Sequence, residues 1–311
     1  MKLPFTKMHS LGNDFIVIDT RNINLKKLSL LAKNLCDRRF GIGADQVLLL
    51  GNSQKADFKM RILNADGSEV EMCGNGIRCL GKFIWDKKVK SQKAKGRKNT
   101  TQQLSIETLC GIKHIRKIRE LIEVDMGEPI LEPEKIPVKI SQRSAVSGQQ
   151  SRPTKGGHQG IISSLVTCHS PLVINYPLRI KDKTFKITCV SMGNPHAVIV
   201  VKDVPSFPVQ LYGPMIENHK FFPKRTNVEF IQILNRNNIR MRVWERGAGE
   251  TMACGTGASA SAVASALLSL TVRKVNIHLP GGKLLINWSE KDDHVYMTGD
   301  AVKVFEGVMK I

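Results

Sequence analysis

Residues 73–76 read Cys-Gly-Asn-Gly, and residues 254–257 read Cys-Gly-Thr-Gly. These two motifs lie 181 residues apart, and several other segments match at the same offset without a gap. Residues 10–13, Ser-Leu-Gly-Asn, meet residues 191–194, Ser-Met-Gly-Asn, and an apolar run follows each of them. Self-similarity at a single offset indicates a repeated structural unit. The chain is therefore predicted to contain two copies of one unit, each carrying one cysteine motif.

Single polar residues match at the same offset. The further pairs are Gln46 with Asn227, Asn64 with Glu245, and Glu69 with Glu250. Chance accounts for one such pair but poorly for all of them together. A duplicated unit usually packs about a pseudo-two-fold axis, and such an axis would bring the two cysteine loops face to face. The predicted fold is therefore mixed α/β, with two pseudo-symmetric domains and a two-sided site in the cleft between them.

The length of 311 residues suits two domains. Glycine and prolines interrupt the pattern near residues 126–133, where we place the boundary. The predicted divisions are a first domain (1–128, with a basic insertion at 87–103), a second domain (129–298, with a polar insertion at 141–160), and a C-terminal segment (299–311) that packs back on the first domain.

The sequence around the cysteines predicts strands that lead into two helices. Strands are expected where β-branched residues alternate, at 15–19, 47–50, 59–63, 186–190 and 198–201. Helices are expected over 77–86 and 258–270. The second helix is apolar or small on nearly every side, which predicts burial inside a sheet or barrel. Each cysteine would then stand at or just before the N-terminus of a central helix.

A helix N-terminus carries unpaired N–H groups and a partial positive charge. It can hold a carboxylate, and it is expected to lower the pKa of a nearby thiol toward neutrality. Two thiols flanking one anchored carboxylate suit exchange of an α-proton. One thiolate removes the proton from one face, and the other thiol delivers a proton to the opposite face. This pattern predicts that Cys73 and Cys254 form the acid–base pair of a cofactor-independent epimerase.

Other interpretations of the polar residues remain open at this point. The remaining cysteines, Cys36, Cys79, Cys110, Cys168 and Cys189, are predicted to be small buried hydrophobic residues. The absence of a CxxC pair disfavours a metal site, and the glycine-rich loops lack the spacing of nucleotide-binding motifs. A Cys–His nucleophile remains possible, although it would not need two matched cysteines. His196 could be a structural or an active-site histidine, and Glu245 with Arg246 could form a local ion pair.

The net charge of +20 is concentrated in part at residues 87–98, which contain seven basic residues and no acid. Such a block could contact nucleic acid, but no nucleic-acid-binding motif accompanies it. A solvated loop is the favoured interpretation. The first ten residues show no signal peptide, and the longest apolar stretch is interrupted by polar residues. Seven cysteines without a secretion signal predict reduced thiols and a cytoplasmic location.

Several ordered motifs resemble the diaminopimelate epimerase family across nearly the whole chain, beginning with MHSLGNDF at 8–15. The others are GIGADQ (41–46), NADGSEVEMCGNGIRC (64–79), GNPHAVI (193–199), TNVEF (226–230) and WERGAGETMACGTGASA (244–260). The resemblance implies interconversion of LL- and meso-2,6-diaminopimelate, on the route to lysine and peptidoglycan precursors. It also implies two α/β domains that each curl around a central helix, a homodimer, and no pyridoxal phosphate or metal.

The resemblance also implies roles for individual residues. Cys73 and Cys254 would be the catalytic pair, and His196 and Glu245 would assist their proton transfers. The residues expected to hold the reacting carboxylate are Gly74, Asn75, Gly255 and Thr256. Those expected to line the substrate pocket are Asn13, Gln46, Asn64, Asn194, Asn227, Glu245 and Arg246. Alternative functions are a racemase of another amino acid or a nucleic-acid-binding protein on the same fold. Asn75, together with the Glu245–Arg246 pair, favours diaminopimelate, because the first motif of proline racemases carries a histidine at the position of Asn75.

Overall fold

The computed structural model describes residues 2–91, 102–139 and 172–310. The centre of the basic insertion, the whole polar insertion at 141–160 and Cys168 lie outside these residues.

The first half contains eight described strands and two helices. They are β1 (Lys2–Ser10), β2 (Asn13–Asp19), α1 (Leu28–Cys36), β3 (Gln46–Gly51), β4 (Phe58–Asn64), β5 (Glu69–Val70), α2 (Gly74–Asp86), β6 (Gln103–Thr108), β7 (Gly111–Ile118) and β8 (Leu121–Asp125). The second half contains β9 (Tyr176–Ile180), β10 (Lys183–Ser191), β11 (Pro195–Val200), α3 (Val209–Glu217), β12 (Asn227–Asn235), β13 (Asn238–Glu245), β14 (Gly249–Thr251), α4 (Gly255–Leu267), β15 (Lys274–Leu279), β16 (Gly282–Trp288), β17 (Val295–Gly299) and β18 (Val302–Lys310).

The repeat predicted from the sequence is present in the element boundaries. The 181-residue offset places β1 on β10, α1 on α3 and α2 on α4, residue for residue. The turns that follow β1 and β10 contain Gly12 and Gly193, whose φ angles are 84° and 94°. Glycine adopts a left-handed backbone easily, so both turns place a glycine at this position, although the first turn also contains left-handed Leu11 (φ 55°).

Strand pairing forms one continuous path with matching halves. From one end it runs β18–β1–β2–β3–β4–β6–β7–β8, and it continues β17–β16–β15–β13–β12–β11–β10–β9. The pairs β2–β3, β4–β6, β11–β12 and β13–β15 are parallel, and the others in this path are antiparallel. The β8–β17 pair joins the halves at the centre of the path.

Each half curls its strands around one central helix. Helix α2 contacts β1, β2, β3, β4 and β8, and α4 contacts β10, β11, β12, β15, β16 and β17. The small side chains of α4, such as Ala258, Ala262 and Ser265, are fully or almost fully buried. Small residues let the surrounding strands approach the helix closely. The predicted mixed sheet around a central helix is therefore confirmed in both halves.

The ends of the central helices differ from the prediction. Both begin three residues earlier than expected, because the glycine-containing motifs form the first turn and the cysteines are the N-cap residues. Helix α4 ends at Leu267, since Ser269 adopts a left-handed φ of 58°. The five predicted strand segments fall on β2, β3, β4, β10 and β11, although β11 ends one residue before Val201.

The cysteines outside the motifs follow the burial prediction with one exception. Cys36, Cys79 and Cys189 are buried, as expected. The prediction for Cys110 was wrong, because this residue is exposed in the turn between β6 and β7. A tight hairpin turn leaves its tip outside the sheet, and the sequence pattern around Cys110 did not reveal that turn.

The domain boundaries stay predictions, but the strands near them show how the halves are connected. After β8, Ile130 forms an isolated bridge with Ser191 in β10. After β17, β18 pairs along the whole of β1. Each half thus sends its last segment across to the first long strand of the other half. No helix in the described ranges is long and apolar enough to cross a membrane.

Candidate active site

The N-termini of the two central helices meet at Gly74 and Gly255. A Cβ atom placed on Gly74 would lie 3.9 Å from the Cα of Gly255, and one placed on Gly255 would lie 3.8 Å from the Cα of Gly74. Both positions also face the end of the Met297 side chain, at 2.8–2.9 Å. A side chain at either position would displace Met297. The two cysteine motifs, which are 181 residues apart in the chain, therefore stand side by side at the junction of the halves.

Cys73 caps the start of α2. Its Sγ accepts a hydrogen bond from the Gly76 N–H at 3.4 Å. The thiol also donates to Asn13 Oδ1 at 3.6 Å. Asn75 Nδ2 donates to the same Asn13 oxygen at 3.4 Å, and Asp45 accepts from Asn13 Nδ2 at 2.8 Å. Asp45 therefore orients the Asn13 amide so that its oxygen faces Cys73.

Cys254 caps α4 at the equivalent position, but its neighbours differ. The Cys254 Sγ lies 3.5 Å from Thr256 Oγ1. Asn194 Nδ2 donates to that hydroxyl oxygen at 3.3 Å. Asn194 corresponds to Asn13 in the repeat, and Thr256 corresponds to Asn75. The structure thus gathers four predicted substrate residues around the two thiols.

The environment raises the pKa of both thiols. Burial raises the pKa of Cys73 to about 11, and the charge of Glu245 adds to this effect, while the Gly76 N–H opposes it. Burial, Glu245 and Glu229 raise the pKa of Cys254 well above its ordinary value. The predicted lowering toward neutrality was therefore wrong. Desolvation of the thiolate outweighs the helix N-terminus at both positions.

Glu245 and Arg246 lie at the end of β13 but do not pair with each other among the described ion pairs. Glu245 Oε1 accepts from the Thr251 hydroxyl at 2.5 Å. The Arg246 backbone N–H donates to Asn227 Oδ1 at 2.9 Å, and its exposed guanidinium donates to a backbone carbonyl at 3.3 Å. Arg246 is thus fixed by its main chain while its side chain remains accessible.

Side-chain amides line the neighbouring strands. Gln46 Nε2 donates to Asn64 Oδ1 at 2.8 Å, and these residues are partners across β3 and β4. Gln46 Oε1 is buried and has no hydrogen-bond partner in the described part of the chain. Asn227 Nδ2 donates to the Pro195 carbonyl at 2.9 Å. A buried acceptor without a partner is costly, so Gln46 is suited to a donor group on a ligand.

His196 is completely buried, and among the described residues it makes no hydrogen bond to either thiol. Its Nδ1 lies 2.7 Å from Glu229 Oε1, and its Nε2 lies 3.0 Å from Asn194 Oδ1. His196 is therefore connected to Cys254 only through Asn194 and Thr256. No group of three or more His, Cys, Asp and Glu residues in the described ranges has a metal-binding arrangement.

Sequence reasoning missed two buried charged residues at this site. Glu229 lies in the apolar strand β12, at the repeat position of Leu48. Arg78 lies in α2 and is fully buried, and it donates to the Gly74 carbonyl, Asn75 Oδ1 and Ser10 Oγ. An acid within an apolar strand was the available signal for Glu229. Arg78 sits within the quoted GNGIRC motif, but its sequence neighbours do not show that its helix face is buried.

Comparison with known proteins is consistent with this arrangement. A family model described as diaminopimelate epimerase matches residues 5–132 and 188–304, which include both cysteine motifs. The chain belongs to the diaminopimelate epimerase family. Within this family, the chain is 46% identical to the diaminopimelate epimerase of Acetivibrio thermocellus over 97% of each chain. It is 48% identical to that of Moorella thermoacetica over 97% of this chain and 98% of the relative.

Solved structures share the fold at much lower identity. A phenazine biosynthesis protein of the PhzF family from Bacillus anthracis aligns with a TM-score of 0.64 at 13% identity and covers 100% of both chains. A hydroxyproline epimerase from Agrobacterium vitis aligns with a TM-score of 0.63 at 11% identity and covers 99% of this chain and 92% of that chain. Identities this low establish the fold, and the chemistry is argued from the site.

Proposed function

We propose that this diaminopimelate epimerase family member interconverts LL- and meso-2,6-diaminopimelate by proton exchange between Cys73 and Cys254. Membership of an epimerase family makes the chain an isomerase. The observation that carries the two-thiol mechanism is the meeting of the two helix N-termini at Gly74 and Gly255, each capped by a cysteine. The product would serve lysine and peptidoglycan precursor synthesis.

The substrate α-carboxylate would bind between the starts of α2 and α4. Backbone N–H groups of the first helical turns lack partners within the helix and point along its axis. Gly74, Asn75, Gly255 and Thr256 supply these groups from two directions. As the α-proton leaves, negative charge moves onto the carboxylate, where the same N–H groups stabilise it. This removes the need for an electron sink on a cofactor.

The proton transfer then uses opposite faces of the α-carbon. One thiolate forms an S–H bond with the α-proton, and the C–H electron pair moves into the enolate. The other thiol donates its proton to the opposite face, which inverts the centre and leaves a thiolate on that sulfur. The raised pKa of each thiol makes its thiolate a stronger base once formed. That basicity suits removal of a weakly acidic α-proton.

The remaining predicted residues would hold the second amino-acid group of the substrate. The Arg246 guanidinium is exposed and suited to a carboxylate. The unpartnered Gln46 Oε1 is suited to the ammonium of that second group, whereas the Glu245 carboxylate, whose charge acts on both thiols, would assist proton transfer at the reacting end. A substrate with an amino-acid group at each end would use the helix starts for one group and Arg246 and Gln46 for the other. The homodimer and the cytoplasmic location implied by the family resemblance stay predictions.

The test follows α-deuteration and meso formation from LL-diaminopimelate in D2O by NMR, without added cofactor. The reduced wild type is expected to form α-deuterated meso product. Cys73→Ser and Cys254→Ser should each lose about a hundredfold or more of the rate, as expected for removal of a general acid or base. Cys110→Ser is the matched control, since that cysteine is exposed in a distant turn, and it should retain activity.

Two outcomes would contradict the proposal. Unchanged exchange in both active-site serine variants would exclude the two-thiol mechanism. No exchange by folded, reduced wild type would exclude diaminopimelate as the substrate, and turnover of another amino acid in the same assay would then identify a racemase of different specificity.

A further inference from the structure

Glu229 and His196 form a fully buried pair on the neighbouring parallel strands β12 and β11. Both side chains have no exposed area, and Glu229 Oε1 lies 2.7 Å from His196 Nδ1. Glu229 Oε2 has no hydrogen-bond partner among the described residues. An ionised carboxylate with one bare buried oxygen is strongly disfavoured. The stable arrangement is a neutral pair that holds one proton between Oε1 and Nδ1 while His196 also keeps a proton on Nε2.

Burial also favours the neutral form of the Glu229–His196 pair. It raises the pKa of Glu229, although the neighbouring imidazole opposes this effect. The charged and titratable groups that face the pair are Glu245 from the end of β13, Cys189 from β10 and Cys254 from the start of α4. None of these groups carries a positive charge. A net negative pair would therefore be repelled by Glu245 and would have no positive charge among these neighbours.

A proton on His196 Nε2 sets the direction of the next hydrogen bonds. His196 Nε2–H donates to Asn194 Oδ1 at 3.0 Å, so the Asn194 amide nitrogen faces Thr256. Thr256 Oγ1 accepts from that nitrogen. Its own hydrogen is then free to point at the Cys254 Sγ, 3.5 Å away. A hydroxyl that donates to sulfur favours the thiolate.

We propose that Glu229 is a positioning residue, which shares one proton with His196 and thereby makes Thr256 a hydrogen-bond donor to the Cys254 thiolate. The proposal rests on the proposed function and deepens it. Among the described residues Glu229 makes no hydrogen bond to either thiol, but through His196 it determines which way Asn194 and Thr256 are oriented. An ionised Glu229 would raise the pKa of Cys254, and the neutral pairing removes that negative charge.

The repeat shows that this arrangement serves only one of the two thiols. In the first half, the positions of Glu229 and His196 are occupied by Leu48 and Phe15. There the Asn13 oxygen accepts a hydrogen bond from the Cys73 thiol. Cys73 thus faces an acceptor, whereas Cys254 faces a donor. The first half also supplies a matched replacement, because Leu and Phe already occupy the equivalent space between the same elements.

The experiment compares alkylation of Cys254 with alkylation of Cys73 in the same protein. Wild type, Glu229→Gln and the double variant Glu229→Leu with His196→Phe are treated with iodoacetamide over a range of pH. Mass spectrometry then measures the rate at each cysteine. The double variant copies the first half and leaves no unpaired buried histidine. Circular dichroism and thermal unfolding check that each variant is folded.

In the double variant, the Cys254 rate at neutral pH is expected to fall about tenfold, which is the effect of a rise of one unit in its pKa. The Cys73 rate and its pH profile should not change. Glu229→Gln is expected to keep the wild-type Cys254 profile, because its amide N–H can donate to His196 Nδ1. The kcat of the double variant should fall more than its KM changes.

An unchanged or faster Cys254 alkylation in the double variant would overturn the proposal, since it would show that Glu229 is a repelling carboxylate or has no effect. Faster alkylation in Glu229→Gln would overturn it for the same reason. Glu217→Gln is the control for loss of a buried acid in the same half, and it should leave both profiles unchanged. Because alkylation needs no turnover, failure of the diaminopimelate assay would be distinguished from failure of this proposal.

Discussion

Met297 lies against the closest approach in the molecule between the two central helices. Its sulfur and methyl group face the first residues of α2 and α4, Gly74 and Gly255. Methionine is flexible and fills irregular gaps, so it can follow small changes in the distance between the helices. A side chain at the start of either helix would displace Met297, so both helices begin with glycine.

Gly255→Ala is predicted to reduce activity more than stability. The added methyl group would lie 2.9 Å from Met297 Sδ, so the Met297 side chain, which also lies against Gly74, must move; the 3.8 Å distance to the Cα of Gly74 is an ordinary contact. Overpacking of this kind costs about 1–3 kcal/mol. Misplacing the reacting groups by about 1 Å can lower kcat about a hundredfold. Steady-state kinetics and urea unfolding measure both effects.

Gly51→Ala is the control for this substitution, because its added Cβ would be at an ordinary 3.7 Å from Lys59. It should change neither kcat nor the free energy of unfolding by much. Wild-type kcat in Gly255→Ala would show that the contact between the helix starts does not position the reacting groups.

At the scale of the elements, the two central helices are matched in length but are held differently at their N-termini. In α2, Arg78 donates to the Gly74 carbonyl at 3.2 Å and to Asn75 Oδ1 at 2.7 Å, and it also reaches the Asp300 carbonyl at 3.1 Å. In α4, Ser259 occupies the equivalent position and donates only to the Gly255 carbonyl, at 3.0 Å. Arg78 therefore connects the start of α2 to the segment between β17 and β18.

Arg78→Lys is predicted to destabilise the protein much more than Ser259→Ala. A lysine cannot make the several directed bonds of the guanidinium, so buried acceptors would lose their donors. We expect the free energy of unfolding to fall by about 2–4 kcal/mol in Arg78→Lys and by about 1 kcal/mol in Ser259→Ala. Urea unfolding of both variants measures the difference. Equal losses would contradict the inferred role of Arg78 in anchoring α2.

At the scale of the whole molecule, the two ends of the strand path are built differently. The second half supplies its own terminal strand, β9, immediately before β10. In the first half the equivalent partner of β1 is β18, from the opposite end of the described chain. Leu3 in β1 is fully buried, and Phe5 in β1 packs edge-on against Phe305 at 5.9 Å. The first half is therefore incomplete without the last strand.

Deleting residues 302–311 is predicted to destabilise the first half and to promote aggregation. β1 would become an exposed edge with unpaired backbone groups, which favours association with other chains. We expect a fall of about 3 kcal/mol or more in the free energy of unfolding, from the lost side-chain burial. Urea unfolding and light scattering measure stability and association. Deleting only residues 310–311 is the control and should have little effect, whereas a 302–311 deletion with wild-type stability and no added association would refute the prediction.

The features that could be predicted are those that depend on local pattern or on self-comparison. The 181-residue offset identified the repeat because duplicated segments keep their spacing even where their side chains diverge. The small, apolar composition of α4 predicted its burial, since a helix without a polar face must be covered on all sides. Glycines at the first and third positions after Cys73 and after Cys254 placed both cysteines at helix starts.

The sequence by itself determined the duplicated mixed α/β architecture, the central helices and the pair of cysteines. Only the tertiary structure decided the direction of the thiol pKa shifts, the pairing of Glu229 with His196, and the partnership of β18 with β1. Desolvation and charge depend on which residues are close in space, and here those residues come from distant parts of the chain. Local spacing records the type of each residue and its periodicity, but the free energy of a buried charge is set by neighbours that folding brings together.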